Sequence, residues 1–445
     1  MGEKQEEKKR RVPRKWIVAG LVVLVLAGGF TAWRLYCSSL VSRQLDAIKA
    51  AGHPVTIEKL DARHPIPAEN AASAYYRAFA RLVEPPDEDW DLLPLVGRAE
   101  LPPLSATMPE EMRKVVEQCV EANREALELM HSASEIRDCR FVMRPLSATD
   151  LTRPSQYQPR LRQGTRLLSY EALVYAEQGD GSRAIGSLRS SLAGGRHLAG
   201  KTSMTDFALS IGLDTLTLDA LERVMSLIPI PENDALEMQG DLVTAEVPEA
   251  LARMIDSEVC LGAWYTHQPR IVRARDLGGS PSGWQLQDMS GVSDLDLATY
   301  LGFLSDALAV APRPFPERIR AMRELDLVRR FEAVPKMYRL TRGLMPNLAY
   351  ITEQDGKHVA RLRAARAALA VERYRRTRGP LPETLSDLVP DFLDAVPQDP
   401  FDGEPLRYKR LDVGYVVYSV GPNEADDGGR TGLEEADDVP FTVAR

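Results

Sequence analysis

The sequence is poor in the residues that build metal centres and disulfide frameworks. Its 445 residues include only four cysteines and six histidines, and none of them stands at the spacing of a zinc site or of an H-E-x-x-H helix. Four cysteines are too few for a disulfide framework in a chain of this length. Two interpretations of Cys119 and Cys139 stay open, one disulfide between them or two buried thiols.

Two further features are missing, and each excludes a class of function. The net charge is −8 and the acidic residues are spread along most of the chain, so no basic surface for nucleic acid is expected. The glycine pairs Gly194-Gly195 and Gly278-Gly279 lack the strand-to-helix context of a phosphate-binding loop. The sequence shows no catalytic set, and only an active site assembled from distant residues would make the chain an enzyme.

The sequence does contain one long apolar run, from Trp16 to Trp33. At about 1.5 Å per residue a helix of this length spans about 27 Å, close to the hydrocarbon thickness of a bilayer, about 30 Å. The tail 1–15 is rich in lysine and arginine and the residues after the run are not, so the tail is predicted to be cytoplasmic and the rest exported. We predict a transmembrane anchor at 16–36, with a cleaved signal peptide as the alternative.

Residues 38–357 are predicted to form a helical ectodomain. Its most regular stripe predicts one helix from Pro109 to about Ser132, because apolar and small residues recur there at helical spacing. One face of this helix is therefore expected to pack in a core. The stripe consists of Met112, Val116, Cys119, Asn123, Leu127 and Met130.

The remaining segments of the ectodomain are less regular. Glu84–Met108 and Gly278–Ser293 are rich in turn-forming residues and are predicted to be surface connections. The arginine-rich stretch Glu317–Thr341 is predicted to be helical. A last helix is predicted at His358–Arg378, where Gly379 gives the stop signal.

A helical hairpin is predicted near the middle of the chain, with its turn at Gln178-Gly179-Asp180. The spacing of small and apolar residues on both sides resembles a tetratricopeptide hairpin. A true array repeats this unit every 34 residues or so, and no second copy is found. A plain helical bundle is therefore preferred to a peptide-binding array. The hairpin residues are Leu168, Ala172, Tyr175, Ala184, Ile185, Leu188 and Leu192.

Glu258 stands where the pattern of a predicted helix requires an apolar residue. The stripe places it between Ile255 and Gly262 on the buried face. A buried carboxylate is costly unless it is paired. Two interpretations follow, an ion pair with an arginine, which is preferred, or an acid with a raised pKa that lines a cleft.

The character of the chain changes after Gly379. Leu406–Tyr408 and Tyr415–Val420 are rich in β-branched and aromatic residues and are predicted to be two strands. The order of helix, proline-flanked turn, strands and acidic loop resembles the C-terminal domain of the major pseudopilin of type II secretion. The residues that match that family's motifs are Pro382, Leu385, Leu388, Pro390, Val396, Pro397, Asp399, Pro400, Phe401, Gly403, Tyr418, Ser419 and Gly421.

The resemblance implies a small α+β module at 358–445 and a calcium-binding loop at Gly421–Asp438. Calcium takes six to eight oxygen ligands on a pliable backbone, and this loop supplies carboxylates and glycines. The alternative is a solvated acidic tail, since the spacing is not that of an EF-hand. The expected ligands are Asp426, Asp427, Asp437 and Asp438.

The chain also departs from the pseudopilin pattern. More than 300 residues separate the apolar run from the module, and the Gly29-Phe30-Thr31 sequence that looks like a peptidase site lies at the far end of the run. As a whole the chain resembles single-pass proteins of the bacterial inner membrane. The preferred function is a scaffold or interaction protein that holds the bilayer through its anchor and binds a protein partner; the alternative is an exported hydrolase.

Overall fold

Most of the chain is α-helical in the computed structural model, which describes residues 14–95, 98–141, 157–198, 203–433 and 436–445. This confirms the predicted mainly α class. The helices of the first half are α1 (Arg14–Ala50), α2 (Ile57–Arg63), α3 (Ala72–Phe79), α4 (Glu110–Ala122), α5 (Arg124–Glu135), α6 (Tyr157–Glu177), α7 (Gly181–Leu198) and α8 (Met204–Leu227). Those of the second half are α9 (Glu232–Ala245), α10 (Ala250–Thr266), α11 (Arg270–Leu277), α12 (Pro281–Ser290), α13 (Val292–Val310), α14 (Glu317–Glu324), α15 (Leu327–Glu332), α16 (Arg339–Leu344) and α17 (Leu348–Arg378).

Helix α1 contains the predicted anchor. Its N-terminal part is long and apolar enough to cross a membrane, and the apolar side chains there are exposed. The same helix continues into the body, where Arg34 pairs with Asp294 at 2.9 Å and Cys37 is buried against α13. Gly291, at φ +86°, permits this contact, because a Cβ there would lie 2.9 Å from the Cys37 sulfur. Only Arg14 and Lys15 of the basic tail fall within the described residues.

The helix predicted from Pro109 to Ser132 is divided into α4 and α5 at Asn123. The Asn123 side chain accepts a hydrogen bond from the Val83 amide at 2.8 Å and donates to the Val83 carbonyl at 3.2 Å. All six stripe residues are buried, as the spacing predicted. The break was missed because its cause is a residue 40 positions away.

The prediction of a connection over Gly278–Ser293 was wrong. This stretch holds α12 and the start of α13. The Ser280 hydroxyl accepts a hydrogen bond from the Gly283 amide at 3.0 Å and Pro281 lies in the first turn, a favourable helix start. The buried Trp284 fixes this short helix on the body.

Glu84–Met108 is more than a loose connection. Its described residues include a 3-10 helix at Asp87–Asp91 and the buried Leu93. The Arg223 guanidinium donates hydrogen bonds to the carbonyls of Pro102 and Ala106, at 2.8 and 2.6 Å. A buried arginine therefore holds this segment on α8.

Two predicted helix boundaries also differ from the structure. The stretch Glu317–Thr341 forms three short helices rather than one, because Asp326 adopts a left-handed backbone with φ +48° and Pro335 interrupts the helical hydrogen bonds that follow. Helix α17 begins ten residues before His358, where the Asn347 side chain accepts a hydrogen bond from the Tyr350 amide at 3.2 Å. Its predicted end at Gly379 is confirmed.

The C-terminal sheet has the order β1-β2-β5 and is antiparallel throughout. Its strands are β1 (Arg407–Arg410), β2 (Tyr415–Ser419) and β5 (Val439–Val443), and a separate two-stranded piece holds β3 (Thr431–Leu433) and β4 (Ala436–Asp437). The first two confirm the predicted strands, and β5 was not predicted. The Glu222 carboxylate and the Ser226 hydroxyl of α8 accept hydrogen bonds from the amides of Thr442 and Ala444. Helix α8 thus closes the outer edge of the sheet.

An aspartate in the turn before the sheet, Asp399, has a structural role. Asp399 is buried, and its carboxylate accepts hydrogen bonds from the Ser419 hydroxyl at 2.8 Å and the Val420 amide at 2.8 Å. It also accepts the Phe401 amide at 2.9 Å. One side chain therefore joins the Val396–Gly403 turn to β2.

The body contains two large hydrophobic clusters. The first contains residues of helices α3 through α9, of the C-terminal half of α17 and of the sheet. The second joins the body end of α1 to α10, α13 and the short helices after it. All four cysteines lie among the described residues as buried thiols, so the disulfide interpretation of Cys119 and Cys139 is wrong for this structure.

Candidate ligand-binding groove

A groove of about 1130 Å³ runs between the α4–α5 arm and the α6–α7 hairpin. It opens to solvent, and its walls are mainly polar and charged side chains. The hairpin predicted at Gln178–Asp180 forms one side of it. Helix α9 contributes Asp241 at one edge.

A hydrogen-bonded cluster centred on His131 lies at the bottom of the groove. The imidazole Nε2 is 2.8 Å from the Glu171 carboxylate, and Nδ1 is 2.8 Å from the Ser190 hydroxyl. The Ser187 hydroxyl donates to the same Glu171 oxygen at 2.6 Å, and the Ser134 hydroxyl donates to the Ser190 oxygen at 2.9 Å. The side chain of His131 is 35% exposed while that of Glu171 is 10% exposed. The cluster is therefore fixed from below and accessible from the groove.

The two walls of the groove carry different charged side chains. The α4–α5 wall presents a mostly acidic stripe at helical spacing, because residues three and four apart share a helix face. The α7 wall presents arginines instead. The acidic stripe consists of Glu117, Glu121, Glu128 and Glu135, and the arginines are Arg183, Arg189 and Arg196. Two of the arginines are already paired on their own side, Arg183 with Asp180 and Arg189 with Glu237 and Asp241.

Several groups on the hairpin side are suited to contact a ligand. Arg183 lies over the Tyr175 ring at 4.5 Å from its centroid, which presents a cation and an aromatic face together. The Nε of Arg196 is buried and has no hydrogen-bond partner among the residues that the structure describes. Gly186 faces the groove, and a Cβ there would meet nothing within 4 Å. The centre of the groove is thus open above α7.

The chain Glu171–His131–Ser190 has the residue types of a hydrolase triad but not its surroundings. In a triad the serine oxygen attacks while nearby amides stabilise the oxyanion. Ser190 lies in the interior of α7, and a helix commits its amides to carbonyls four residues earlier. Its hydroxyl is also held by both His131 and Ser134. The geometry favours binding over acyl transfer.

Glu258 lies away from the groove, in a closed core. The residue is 6% exposed, and the Tyr300 hydroxyl donates a hydrogen bond to its carboxylate at 3.3 Å. Burial raises the pKa of Glu258 to about 7, against the opposing hydrogen bonds from Tyr300 and the Met204 amide. Its partner is a tyrosine, so the preferred interpretation, an ion pair with an arginine, was wrong.

The four predicted calcium ligands are engaged with the protein itself. Asp437 pairs with Lys357 at 2.9 Å, and Asp438 accepts the Gly429 amide at 2.7 Å. Asp426 accepts the Tyr418 hydroxyl at 2.9 Å, and Asp427 accepts the Asn423 side chain at 3.0 Å.

Within the described ranges, no group of three or more histidine, cysteine, aspartate or glutamate side chains is arranged to hold a metal. Calcium binding stays a prediction. It is tested by melting the full chain in calcium and in chelator, with Asp427→Ala/Asp437→Ala as the variant that should remove any calcium-dependent rise.

Sequence reasoning missed the groove cluster because each residue stands alone in the sequence. His131 is 40 residues from Glu171 and 59 residues from Ser190. The one available signal was the row of glutamates along the exposed face of α4 and α5, opposite a hairpin with arginines on its outer face. Neither pattern identifies a site without the other.

Comparison of the chain with protein-family models, with curated proteins and with solved structures finds no match. The resemblance of the C-terminal module to the major pseudopilin therefore stays a prediction from its motifs.

Proposed function

We propose that this chain is a membrane-anchored interaction protein that binds an extended polypeptide segment in the groove between α4–α5 and α6–α7. The observation that supports this most is a groove lined by glutamates on one side and arginines on the other, with the polar His131 cluster between them. An extended peptide offers amides and carbonyls to the floor and side chains of either charge to the walls. The groove would be the binding surface of the interaction protein that the sequence predicts.

The dimensions of the groove suit a short peptide. Helix α7 has 18 residues, so it is about 27 Å long. About eight extended residues cover that length. A segment of this size would contact the His131 cluster at its centre and the arginines on one side.

The test is a selection of displayed random peptides of about eight residues on the full chain in lipid nanodiscs. Gly186→Trp fills the open centre of the groove, and it should weaken binding of the selected peptides by about tenfold or more. The matched control is Gly212→Trp, an exposed glycine within α8 whose Cβ also meets nothing within 4 Å. Peptides that bind the wild-type chain, Gly186→Trp and Gly212→Trp equally would contradict the proposal.

An exported hydrolase is the second candidate, and the Glu171–His131–Ser190 chain is the observation that favours it. A fluorophosphonate probe labels serines that are activated for acyl transfer. The binding proposal predicts no labelling at Ser190. Labelling that disappears in Ser190→Ala would favour the hydrolase.

The location proposed for the body is the outer face of a bacterial inner membrane, with the basic tail in the cytoplasm. A reporter that is active only outside the cytoplasm, fused after Arg445, should be active while the protein stays in carbonate-washed membranes. An inactive reporter would reverse the orientation. Release into the soluble fraction would support a cleaved signal instead.

A further inference from the structure

The apolar part of α1 ends directly beside α12. The Trp33 indole, at the end of the apolar run, donates a hydrogen bond to the Ser290 carbonyl at 2.8 Å. One residue later Arg34 pairs with Asp294. Tryptophan at the end of a membrane-spanning helix lies at the bilayer interface, so the C-terminal end of α12 lies at that level.

Helix α13 rises from this point alongside α1. The contacts of Arg34 with Asp294 and of Gln44 with Gly302 advance together along both helices. The rest of the body therefore lies farther from the bilayer. Helices α11 and α12 and the residues before α16 form the base of the body, the part nearest to the bilayer. The Gln287 side chain joins these elements by donating to the Met337 carbonyl at 3.1 Å.

Large apolar side chains are exposed on this base. Leu286 and Met289, three residues apart on one face of α12, are 69% and 59% exposed. Ile271 on α11 and Met337 before α16 are 69% and 53% exposed. The opposite side of α12 carries the buried Trp284, and the Arg273 guanidinium stacks over the Trp284 ring. The exposed face is thus not required for folding of the helix.

The same base is positively charged. The ranges 268–290 and 335–339 contain five basic residues and two acidic ones. Both acids are occupied, Asp288 by Arg270 and Arg273 and Asp276 by Arg275. The two ranges keep an excess of basic over acidic residues, and exposed apolar side chains in a segment rich in lysine and arginine are typical of the interface of a bilayer.

We propose that the base of the body, formed by α11, α12 and residues 335–339, lies on the membrane surface with Leu286, Met289, Ile271 and Met337 inserted among the lipid headgroups. The anchor and this base then hold the body at two places. A helix that spans the bilayer alone leaves the body free to tilt. Two contacts fix its height and orientation, and so the direction in which the groove opens.

The test uses the full chain in nanodiscs of phosphatidylcholine and phosphatidylglycerol, with spin labels at introduced cysteines. The native thiols are buried, so brief labelling marks the introduced one. Leu286→Cys and Met289→Cys are the test positions. Leu236→Cys is the matched control, since this leucine is 53% exposed on α9, a helix that packs in the first cluster rather than in the base. Val25→Cys marks the anchor itself.

The measurement is the accessibility of each label to oxygen, which concentrates in lipid, relative to a water-soluble nickel complex. The proposal expects a ratio several-fold higher at 286 and 289 than at 236. Lipid exposure at 25 with water exposure at 286 and 289 would overturn it while leaving the anchor intact. Water exposure at all positions would overturn both. Labels at 286 and 289 that are shielded from both reagents would indicate a protein partner on this face and would equally overturn it.

Discussion

Helix α7 lies between two histidine–carboxylate pairs that have different surroundings, one on its groove side and one on its core side. On the groove face, His131 contacts Glu171 at 2.8 Å and Gly186 faces open space. On the core face, His358 contacts Asp214 at 2.9 Å, and Asp214 lies against Gly195. The His131 side chain is 35% exposed and that of His358 is 9% exposed. The same pair chemistry therefore offers a ligand contact on one face and holds the fold on the other.

In the core pair, Asp214 changes how readily His358 takes up a proton. Burial alone would lower the pKa of His358, but the hydrogen bond and charge of Asp214 outweigh it and raise that pKa above its usual value. Asp355 adds a further negative charge nearby, and Arg318 balances it at 3.1 Å. In the groove pair the His131 side chain is 35% exposed, and neutral serine hydroxyls rather than further charges surround it.

The largest difference is expected when each histidine is removed. His358→Leu leaves the buried Asp214 carboxylate without its partner, which costs about 3–5 kcal/mol of unfolding free energy. His131→Leu should cost less, about 1 kcal/mol, because Glu171 keeps its Ser187 hydrogen bond and the His131 side chain is already partly exposed to water. Denaturant unfolding of the full chain in detergent measures both. Equal losses would contradict the distinction between the two faces.

A smaller effect is expected from the buried carboxylate of Glu258, whose folded-state pKa of about 7 exceeds its ordinary value of 4.5. The folded state binds the proton more tightly, so stability from this group is present below pH 4.5 and is lost as the pH rises toward 7. The loss amounts to about 3 kcal/mol.

Glu258→Gln keeps an acceptor for Tyr300 and should remove this part of the pH dependence, so that the variant is more stable than wild type at pH 8. Unfolding at pH 4 and pH 8 checks the difference. Parallel pH profiles for the two proteins would show that Glu258 does not titrate as proposed. The matched groove variant is Glu128→Gln, which should leave the profile unchanged because that carboxylate is exposed.

The smallest effects come from the two glycines of α7. Gly195→Ala places a Cβ 1.9 Å from an Asp214 oxygen, and such overpacking costs about 1–3 kcal/mol. Gly186→Ala meets nothing and should stabilise the helix by up to about 1 kcal/mol. The same glycine-to-alanine change is therefore expected to shift the melting temperature in opposite directions at these two positions of α7. A lower melting temperature for Gly186→Ala would show that the groove face is packed, and a higher one for Gly195→Ala would show that the core face is open.

Patterns within one segment predicted much of this fold. The apolar run, the stripe on α4 and α5 and the hairpin turn at Gly179 are local, since periodicity and turn residues specify them without distant contacts. The break at Asn123 and the edge strand β5 depend on Val83 and on Glu222 of α8, which no local pattern reveals.

The groove could not be predicted for the same reason. Its cluster joins α5 to α6 and α7, and isolated histidines look alike in the sequence whether they end in a core or in a groove. Glu258 could be singled out from the sequence because it interrupts an apolar stripe, and the structure shows that its side chain is buried with that stripe. His131 interrupts nothing, so its environment became apparent only in three dimensions.

The central claim is that the groove, and not the surface elsewhere, holds a polypeptide. Photocrosslinking in native membranes tests it directly, with p-benzoylphenylalanine replacing Tyr175 in the groove or Tyr350, an exposed tyrosine on α17. The account predicts a protease-sensitive adduct from position 175 that is absent from position 350 and is lost when Gly186→Trp is added to the same chain. Identical adducts from both positions, or an adduct at 175 that persists with Gly186→Trp, would contradict it.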